Sequence, residues 1–515
     1  MTRRFLGALL AVAVLAAGRP APAATLPYAE LLGRAYDAVL DARFDAVEPA
    51  LARACGPAPR ETCDLLRATA LWWRIQLDPM NRSLDAEFQA RATAVIEAMH
   101  AWTEREPRRA DAWFFLGASY GLRVQWRVLR TERLAAARDG KRIKEALERS
   151  LALDPSLQDA YFGIGLYHYY ADLGPSVLKV LRWLLLLPGG NRAQGLKEMQ
   201  QARDRGDLLR GEADYQLHLI YLWYEQKADE ALKLLEELRG RYPHNPLFLQ
   251  AIADVQDVYQ HDHPASLATW RQMFDLARQR RLAMPEMSEA RARVGIAEEL
   301  EALLETDYAI EQLRTVTDAR PPAPYGLTAR ALLRLGEAED RLGQREEAVR
   351  AYQAAVAAAP ADDPERVKDR ARERLRKRPD PRAADAYRLS LEGWRQLQRG
   401  DIVRATESLE RASSLNPSDI VTRSRVGRLL LARRRPEALA AFEMVLAARP
   451  AAPPPILAAA CLEAGRLLEG RDRARAIELY ERASRVRGAE PETRRAATQL
   501  LARLNGKAPT RGRVQ

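Results

Sequence analysis

The order of small, aromatic and helix-ending residues between positions 332 and 360 constrains the fold of this chain more than any other feature. The segment reads LLRLGEAEDRLGQREEAVRAYQAAVAAAP. Its pattern positions are Gly336, Ala348, Tyr352, Ala355 and Pro360, spaced 12, 4, 3 and 5 residues apart. Gly336 and Ala348 are small enough for two helices to cross closely, and Pro360 ends the second helix because proline cannot continue the backbone hydrogen bonds. The segment therefore predicts a helix–turn–helix hairpin, with Tyr352 filling the space between neighbouring hairpins.

This pattern resembles the tetratricopeptide repeat (TPR), a helical hairpin of about 34 residues that stacks on further copies of itself. By the same phasing, the resemblance covers most of residues 110–488, in roughly eight or nine units. The most specific units are 210–243, 332–360 and 387–417. Helix formers dominate throughout, and no long alternating run predicts a strand. The resemblance implies an all-α solenoid of TPR-type helical hairpins, wound as a right-handed superhelix.

The repeats fall into two blocks, separated by a charge-dense segment that predicts an exposed linker helix and a proline-rich hinge. The predicted organisation is a signal peptide at 1–23, a helical region with degenerate repeats at 24–108, a main array at 109–360 with an apolar insert at 167–195, the charged linker at 361–384, a basic repeat block at 385–490, and a terminal helix with a disordered basic tail at 491–515.

The N-terminus has the three parts of a secretion signal. Arg3 and Arg4 precede an apolar run of 12 residues from Leu6 to Ala17, and a small-x-small cleavage pattern follows at Ala21–Ala23. Only nine of the 81 basic residues are lysine, which indicates a GC-rich, bacterial coding sequence. We expect an exported protein, periplasmic or extracellular, either soluble or peripherally associated with the envelope. Cleavage of the signal or its retention as an anchor both stay open.

The cysteines are compatible with an oxidising compartment. Cys55 and Cys63 flank the loop GPAPRET between two predicted helices, so a disulfide could join them, with two free thiols as the alternative. Cys461 lies in an alanine-rich segment and is expected in the core. Three scattered cysteines do not predict a zinc site.

Charge and hydropathy leave a membrane-associated alternative open. Residues 361–515 contain 34 basic and 21 acidic residues. This excess of positive charge favours binding to an anionic membrane surface or an acidic partner over binding to nucleic acid. The alternative is that these residues form a solvated helix face with no partner. Within the insert, residues 177–187 are apolar apart from Lys179 and Arg182 and are too short to span a bilayer. We favour a buried helix there, and a lipid-dipping helix is the alternative.

Chemical motifs are present only as mismatches. Ser119 stands in a G-x-S-x-G pattern, but in a predicted helix rather than the strand-to-helix turn of a hydrolase. Gly190–Lys197 resembles a P-loop, except that Leu196 separates the second glycine from the lysine. The run from His261 to His263, with Asp254 and Asp257 upstream, offers metal ligands, but an inter-helix turn is favoured. We predict no catalytic residue, no cofactor and no metal.

The partner groove can be predicted from the repeat phase, because the resemblance implies that the first helix of each hairpin lines the concave face. The predicted groove residues are Phe114, Phe162, Leu166, Tyr169, Trp223, Asp254, Asp257, Glu298, Glu301, Glu337, Asp340, Trp394 and Arg428. An aromatic section followed by an acidic one suits an extended peptide with apolar anchors and a basic segment. The alternative is that the aromatic residues are core and the acids form a solvated face.

Together these features predict a non-enzymatic scaffold that binds a protein or peptide in a bacterial cell envelope. The first alternative is a membrane-associated assembly factor that docks through residues 177–187 and the basic C-terminal block. A hydrolase with an unrecognised site is a weaker alternative. The sequence leaves the partner and the oligomeric state undetermined.

Overall fold

The computed structural model describes residues 26–173 and 189–506. Within these residues it is all-α, with 24 α-helices, one π-helical turn and no strand. The predicted signal peptide, residues 177–187 and the end of the basic tail lie outside the described residues, so the expectations for them stay predictions. None of the described helices is both long enough and apolar enough to cross a bilayer.

The helices before the insert are α1 (Ala29–Leu40), α2 (Phe44–Ala54), α3 (Arg60–Leu77), α4 (Asp85–Arg105), α5 (Ala110–Leu129), α6 (Arg133–Leu153) and α7 (Ala160–Asp172). Those from the insert to the middle of the chain are α8 (Arg192–Arg205), α9 (Arg210–Trp223), α10 (Ala228–Arg241), α11 (Pro246–Asp254), the π-helix (Val255–Tyr259), α12 (His263–Arg278), α13 (Pro285–Ala302) and α14 (Thr306–Ala319). The remainder are α15 (Leu327–Arg341), α16 (Arg345–Ala358), α17 (Val367–Arg376), α18 (Pro381–Gln398), α19 (Ile402–Leu415), α20 (Ile420–Ala432), α21 (Ala438–Leu446), α22 (Pro454–Leu468), α23 (Arg473–Arg485) and α24 (Pro491–Leu504).

The chain forms two compact units. The first is built from residues 26–33, Ala54–Cys63 and Ala94–Arg210, and the second from Arg34–Arg53, Asp64–Thr93 and the chain from Gly211 onward. Of the expected main array, residues 109–210 lie in the first unit and residues 211–360 in the second, together with the block at 385–490.

The hairpin of α15 and α16 has the packing that its sequence pattern predicts. A Cβ atom added to Gly336 would lie 2.5 Å from the Tyr352 ring, so only glycine leaves room for the tyrosine. Tyr352 is fully buried and contributes to the same core as Val367 and Ala371 of the following helix. Its hydroxyl donates to Asp340 at 2.9 Å, which satisfies the one polar atom of the ring.

The same contact recurs in later hairpins. A Cβ on Gly427 would lie 2.9 Å from the ring of Phe442, and a Cβ on Gly465 would lie 2.7 Å from the ring of Tyr480. Both rings are completely buried. One glycine on the first helix therefore faces one large ring on the second in these hairpins, whereas in the α18–α19 hairpin Gly393 faces Leu409.

The predicted linker contains a helix that packs into the second unit. α17 is mainly charged, but Val367 and Ala371 point into the core that Tyr352 shares. Asp363 accepts from the backbone N–H groups of Val367 and Lys368, at 2.8 Å each, and so caps the start of the helix. α17 is thus an extra helix between two hairpins, joined to them by buried contacts.

The first unit contains the α5–α6 hairpin, where the chain around residues 124–140 lengthens both helices. Asp139 is completely buried and bonds Arg123 at 2.7 and 2.8 Å, with Arg127 and Arg142 also in contact. Three cations around one buried carboxylate offset its desolvation. The Cys55–Cys63 disulfide is present, with Cα atoms 6.0 Å apart, and Cys461 is a buried free thiol.

The two mismatched motifs have structural roles. Ser119 lies inside α5, almost fully buried, and its hydroxyl donates to the Leu116 carbonyl at 2.7 Å. The near P-loop begins α8, where the Asn191 side chain accepts from the Gln194 N–H at 3.0 Å. Neither segment has the geometry that the corresponding chemistry requires.

Candidate functional site

The second unit contains a cavity of about 760 Å³. Most of its lining comes from α13, α15, α18 and α20, each the first helix of a hairpin, and from the inserted helix α17. Leu313 of α14 and Tyr352 of α16 also line it. Successive first helices therefore face one shared space, which is the arrangement that the repeat phase predicts for the concave face. A cavity of this size lies within the range of ligand sites in proteins, about 300 to 1,000 Å³.

Four of the predicted groove residues lie together on the cavity wall: Glu298, Glu301, Glu337 and Asp340. Glu298 and Glu301 are one helical turn apart on α13, and Glu337 and Asp340 have the same relation on α15. The spacing of three residues places each pair on one helix face. The repeat phase had assigned all four residues to the same predicted face.

The four acids are already paired with arginines of the same chain. Arg334 bridges Glu298 and Glu337, with N–O distances of 2.9 Å to each. Glu298 also bonds Arg330, Glu301 bonds Arg341 at 3.1 Å, Asp340 bonds Arg345 at 2.7 Å and Glu337 bonds Arg374 at 3.1 Å. The wall therefore carries alternating charges and is not an acidic surface. The arginines, which the repeat phase does not reveal, are the functional candidates that sequence reasoning missed.

One carboxylate on this wall is largely removed from solvent. Glu301 Oε1 is buried and has no hydrogen bond of ordinary geometry among the described residues. Burial raises the pKa of Glu301, and Arg341 and a hydrogen bond from Thr306 oppose that shift. The Thr306 hydroxyl also lies 2.8 Å from the Tyr387 hydroxyl.

The inserted helix adds cations to the cavity lining. Arg370, Arg374 and Lys377 line the cavity from α17 and its C-terminal end. Arg370 reaches Glu337 only at 3.8 Å, and Lys377 is exposed with no ion-pair partner within residues 26–173 and 189–506. Of these three cations, Lys377 is therefore the one that remains available to a ligand.

The remaining predicted acids, Asp254 and Asp257, are not among the residues that line the cavity. The Asp254 side chain is solvent-accessible, yet protein atoms surround it closely enough that desolvation raises its pKa to about 6, with Asp257 adding to the shift and Arg330 opposing it. Asp257 belongs to the π-helix and contacts His263 on α12. The neighbouring His261 and Asp262 do not join that contact.

The aromatic section of the predicted groove is mostly core. Phe114 and Tyr169 are 2% and 0% exposed, Phe162 is also buried, and Leu166 is half-buried. Phe114 packs against Phe115 with ring centroids 5.0 Å apart. These side chains fill their own hairpins in the first unit, because short hairpins need such rings as core. They are therefore not groove surface.

The last three predicted residues are at least partly accessible. Trp223, at the end of α9, is 59% exposed. Trp394 and Arg428 lie on successive first helices, and the guanidinium carbon of Arg428 is 5.5 Å from the ring centroid of Trp394. The repeat phase places this pair together, and the contact is a cation–π interaction.

Comparisons with known proteins give no family assignment. No protein-family model matches the chain, and no curated protein matches it. Among solved structures it is similar to a Rap protein complexed with competence and sporulation factor, at 13% identity and TM-score 0.33, over 93% of this chain and 99% of that one. The TPR domain of P58(IPK) aligns at 15% identity and TM-score 0.23, over 87% and 100%. Yeast Tom70 aligns at 12% identity and TM-score 0.26, over 84% and 95%. Because these TM-scores are low, the similarities do not establish the fold. The all-α repeat fold is established by the hairpin packing described above.

Proposed function

We propose that this protein is a non-enzymatic scaffold that binds a protein or peptide segment in the cavity of its second unit. The observation that carries the proposal is the convergence of four first helices, with α17, on one space of about 760 Å³. The walls belong to packed hairpins and are therefore preorganised. A partner that enters the cavity loses its own conformational freedom but does not have to order the scaffold.

The charges of the wall favour a ligand of mixed polarity. The paired carboxylates and arginines of the lining can accept from and donate to peptide groups, and Lys377 is available to a carboxylate or a carbonyl oxygen. The sequence alone favoured a partner with a basic segment. That preference is not kept for the cavity, because the acids that suggested it already bond arginines.

The proposal places this scaffold in an exported, envelope setting. Two features support that location: the secretion-type N-terminus and the Cys55–Cys63 disulfide, since disulfides persist mainly in oxidising compartments.

Filling the cavity without removing any existing contact tests the proposal. Ala383 is an exposed residue of α18 that lines the cavity, so Ala383→Trp projects an indole into it. Ala357→Trp places the same side chain on the exposed face of α16, outside the cavity lining. Peptides are first selected from a displayed random library against the immobilised wild-type chain. Their affinities for both variants are then measured by calorimetry.

We expect Ala383→Trp to weaken the selected peptides by at least ~10-fold, equivalent to about 1.4 kcal/mol, and Ala357→Trp to leave them unchanged. Equal melting temperatures for both variants would exclude unfolding as the cause. If no peptide is selected, or if the two variants bind the selected peptides equally well, the cavity is not a peptide site.

A further inference from the structure

Three side chains outside the cavity lining form a compact group with the donor atoms of a metal site. Asp257 lies on the π-helix, His263 is the first residue of α12, and Glu299 is near the end of α13. Nδ1 of His263 lies 3.1 Å from Asp257 Oδ1 and 2.9 Å from Glu299 Oε2. All three potential ligand atoms lie within 4.8 Å of one another.

We propose that Asp257, His263 and Glu299 bind a divalent transition-metal ion, with zinc as the ion that fits the donor set best. Imidazole nitrogen and carboxylate oxygen are both zinc ligands, at about 2.0 to 2.2 Å. Ligand atoms of a tetrahedral ion at that distance are separated by about 3.3 to 3.6 Å, close to the His263–carboxylate distances. Asp257 has the most exposed side chain of the three and can rotate to close the remaining gap.

The local charge balance favours a cation at this position. Several other buried acids have an arginine as a partner: Asp139 contacts Arg123, and Glu339 contacts Arg314. For Asp257 and Glu299, the ion-pair partner among the described residues is His263, and it is shared between them. Two carboxylates carry more negative charge than one imidazole can balance, even when it is protonated, and a divalent ion neutralises them.

The Glu299 carboxylate is held in a fixed orientation by a hydrogen bond to its other oxygen. Ser266 donates its hydroxyl to Glu299 Oε1 at 2.7 Å, which leaves Oε2 directed at the histidine. Metal-binding carboxylates typically have such outer partners, which fix their orientation. A bound ion would join the π-helix to α12 and α13. Because Glu298 and Glu301 flank Glu299 on α13, the ion would also hold the helix that forms one wall of the cavity.

Cobalt provides a direct test, since protein-bound Co²⁺ in a four- or five-coordinate site absorbs visible light more strongly than the hydrated ion. The untagged chain is stripped with a chelator and titrated with Co²⁺ and then Zn²⁺, with the visible spectrum and calorimetry as readouts. We expect one equivalent of Co²⁺ to bind, Zn²⁺ to displace it, and Zn²⁺ to raise the melting temperature, because a ligand that binds only the folded state stabilises it.

Variants locate the site. His263→Gln and Glu299→Gln should abolish the cobalt spectrum, and Ser266→Ala should weaken Zn²⁺ binding by roughly 10-fold or more. His244→Gln is the matched control, since His244 contacts a single carboxylate, Asp41, at 2.8 Å and should leave binding unchanged. The proposal is overturned if the wild-type chain shows no cobalt spectrum, or if His263→Gln keeps it in full. Should both ligand variants unfold, the Ser266→Ala affinity decides: a weakened affinity supports the site and an unchanged one refutes it.

Discussion

At the scale of single residues, the repeat pattern predicts which side chains must be small more reliably than it predicts which side chains are exposed to solvent. Gly336 is required by the ring of Tyr352, which a Cβ atom would approach to 2.5 Å. Sequence spacing reveals such a contact because both partners lie in one hairpin. Phe114 and Tyr169 occupy equivalent first-helix phases but are buried, since phase gives the direction of a side chain and not what covers it. That difference explains why four of the acidic groove residues share a cavity, whereas Phe114 and Tyr169 lie in the core.

Gly336→Ala should destabilise the second unit by about 1 to 3 kcal/mol, because the added methyl group forces the buried Tyr352 ring to shift. Urea denaturation followed by circular dichroism measures the loss. Gly240→Ala is the control: Gly240 lies within α10 with nothing within 4 Å of the added Cβ, so alanine there should be neutral or stabilising by up to about 1 kcal/mol. Equal stabilities of the two variants would show that the ring contact does not constrain position 336.

At the scale of helices, the sequence predicted the hairpins but not every role of the segments between them. The all-α hairpin repeat is confirmed by the helix order and by the recurring glycine–ring contacts. The charged composition of residues 361–384 predicted an exposed linker, whereas Val367, Ala371 and Leu375 of α17 pack against the core. These three positions are one helical turn apart, but the many charges around them outweighed that signal. Asp257 and His263 were recognised as possible metal ligands, but Glu299 was not, because it lies in a different helix, 36 residues after His263.

Ala371→Asp tests whether α17 is part of the second unit. Its side chain is completely buried, so an unpaired carboxylate there should cost ~3 kcal/mol or more. Arg372→Asp, at the exposed neighbouring position, makes a larger change in charge but should alter stability by only about 0.5 kcal/mol. Thermal and urea unfolding of both variants provide the measurement. A flexible linker would instead tolerate the two substitutions equally.

At the scale of the whole molecule, charge is organised into internal pairs. The chain has 81 lysine and arginine residues and 70 aspartate and glutamate residues, so its net charge of +11 is small relative to the number of charged groups. The cavity wall shows the consequence, because Arg334 alone connects Glu298 on α13 with Glu337 on α15. From sequence, these glutamates resemble an acidic face. In the structure they join neighbouring hairpins, and their arginine partners could not be assigned without coordinates because the pairs cross between hairpins.

Removing the two connected carboxylates should therefore affect stability and not only ligand binding. We expect Glu298→Gln combined with Glu337→Gln to lower the unfolding free energy by about 1 to 3 kcal/mol, since Arg334 and Arg374 lose their charged partners and Arg330 keeps only Glu365, at 3.5 Å. The control pair, Glu311→Gln with Glu346→Gln, makes the same change in net charge at exposed positions and should cost no more than about 0.5 kcal/mol. The difference between the pairs should shrink as salt is added, because screening weakens the remaining attractions. Urea unfolding at two salt concentrations measures both effects, and equal stability of the two double variants would mean that the glutamates form an independent, solvated face.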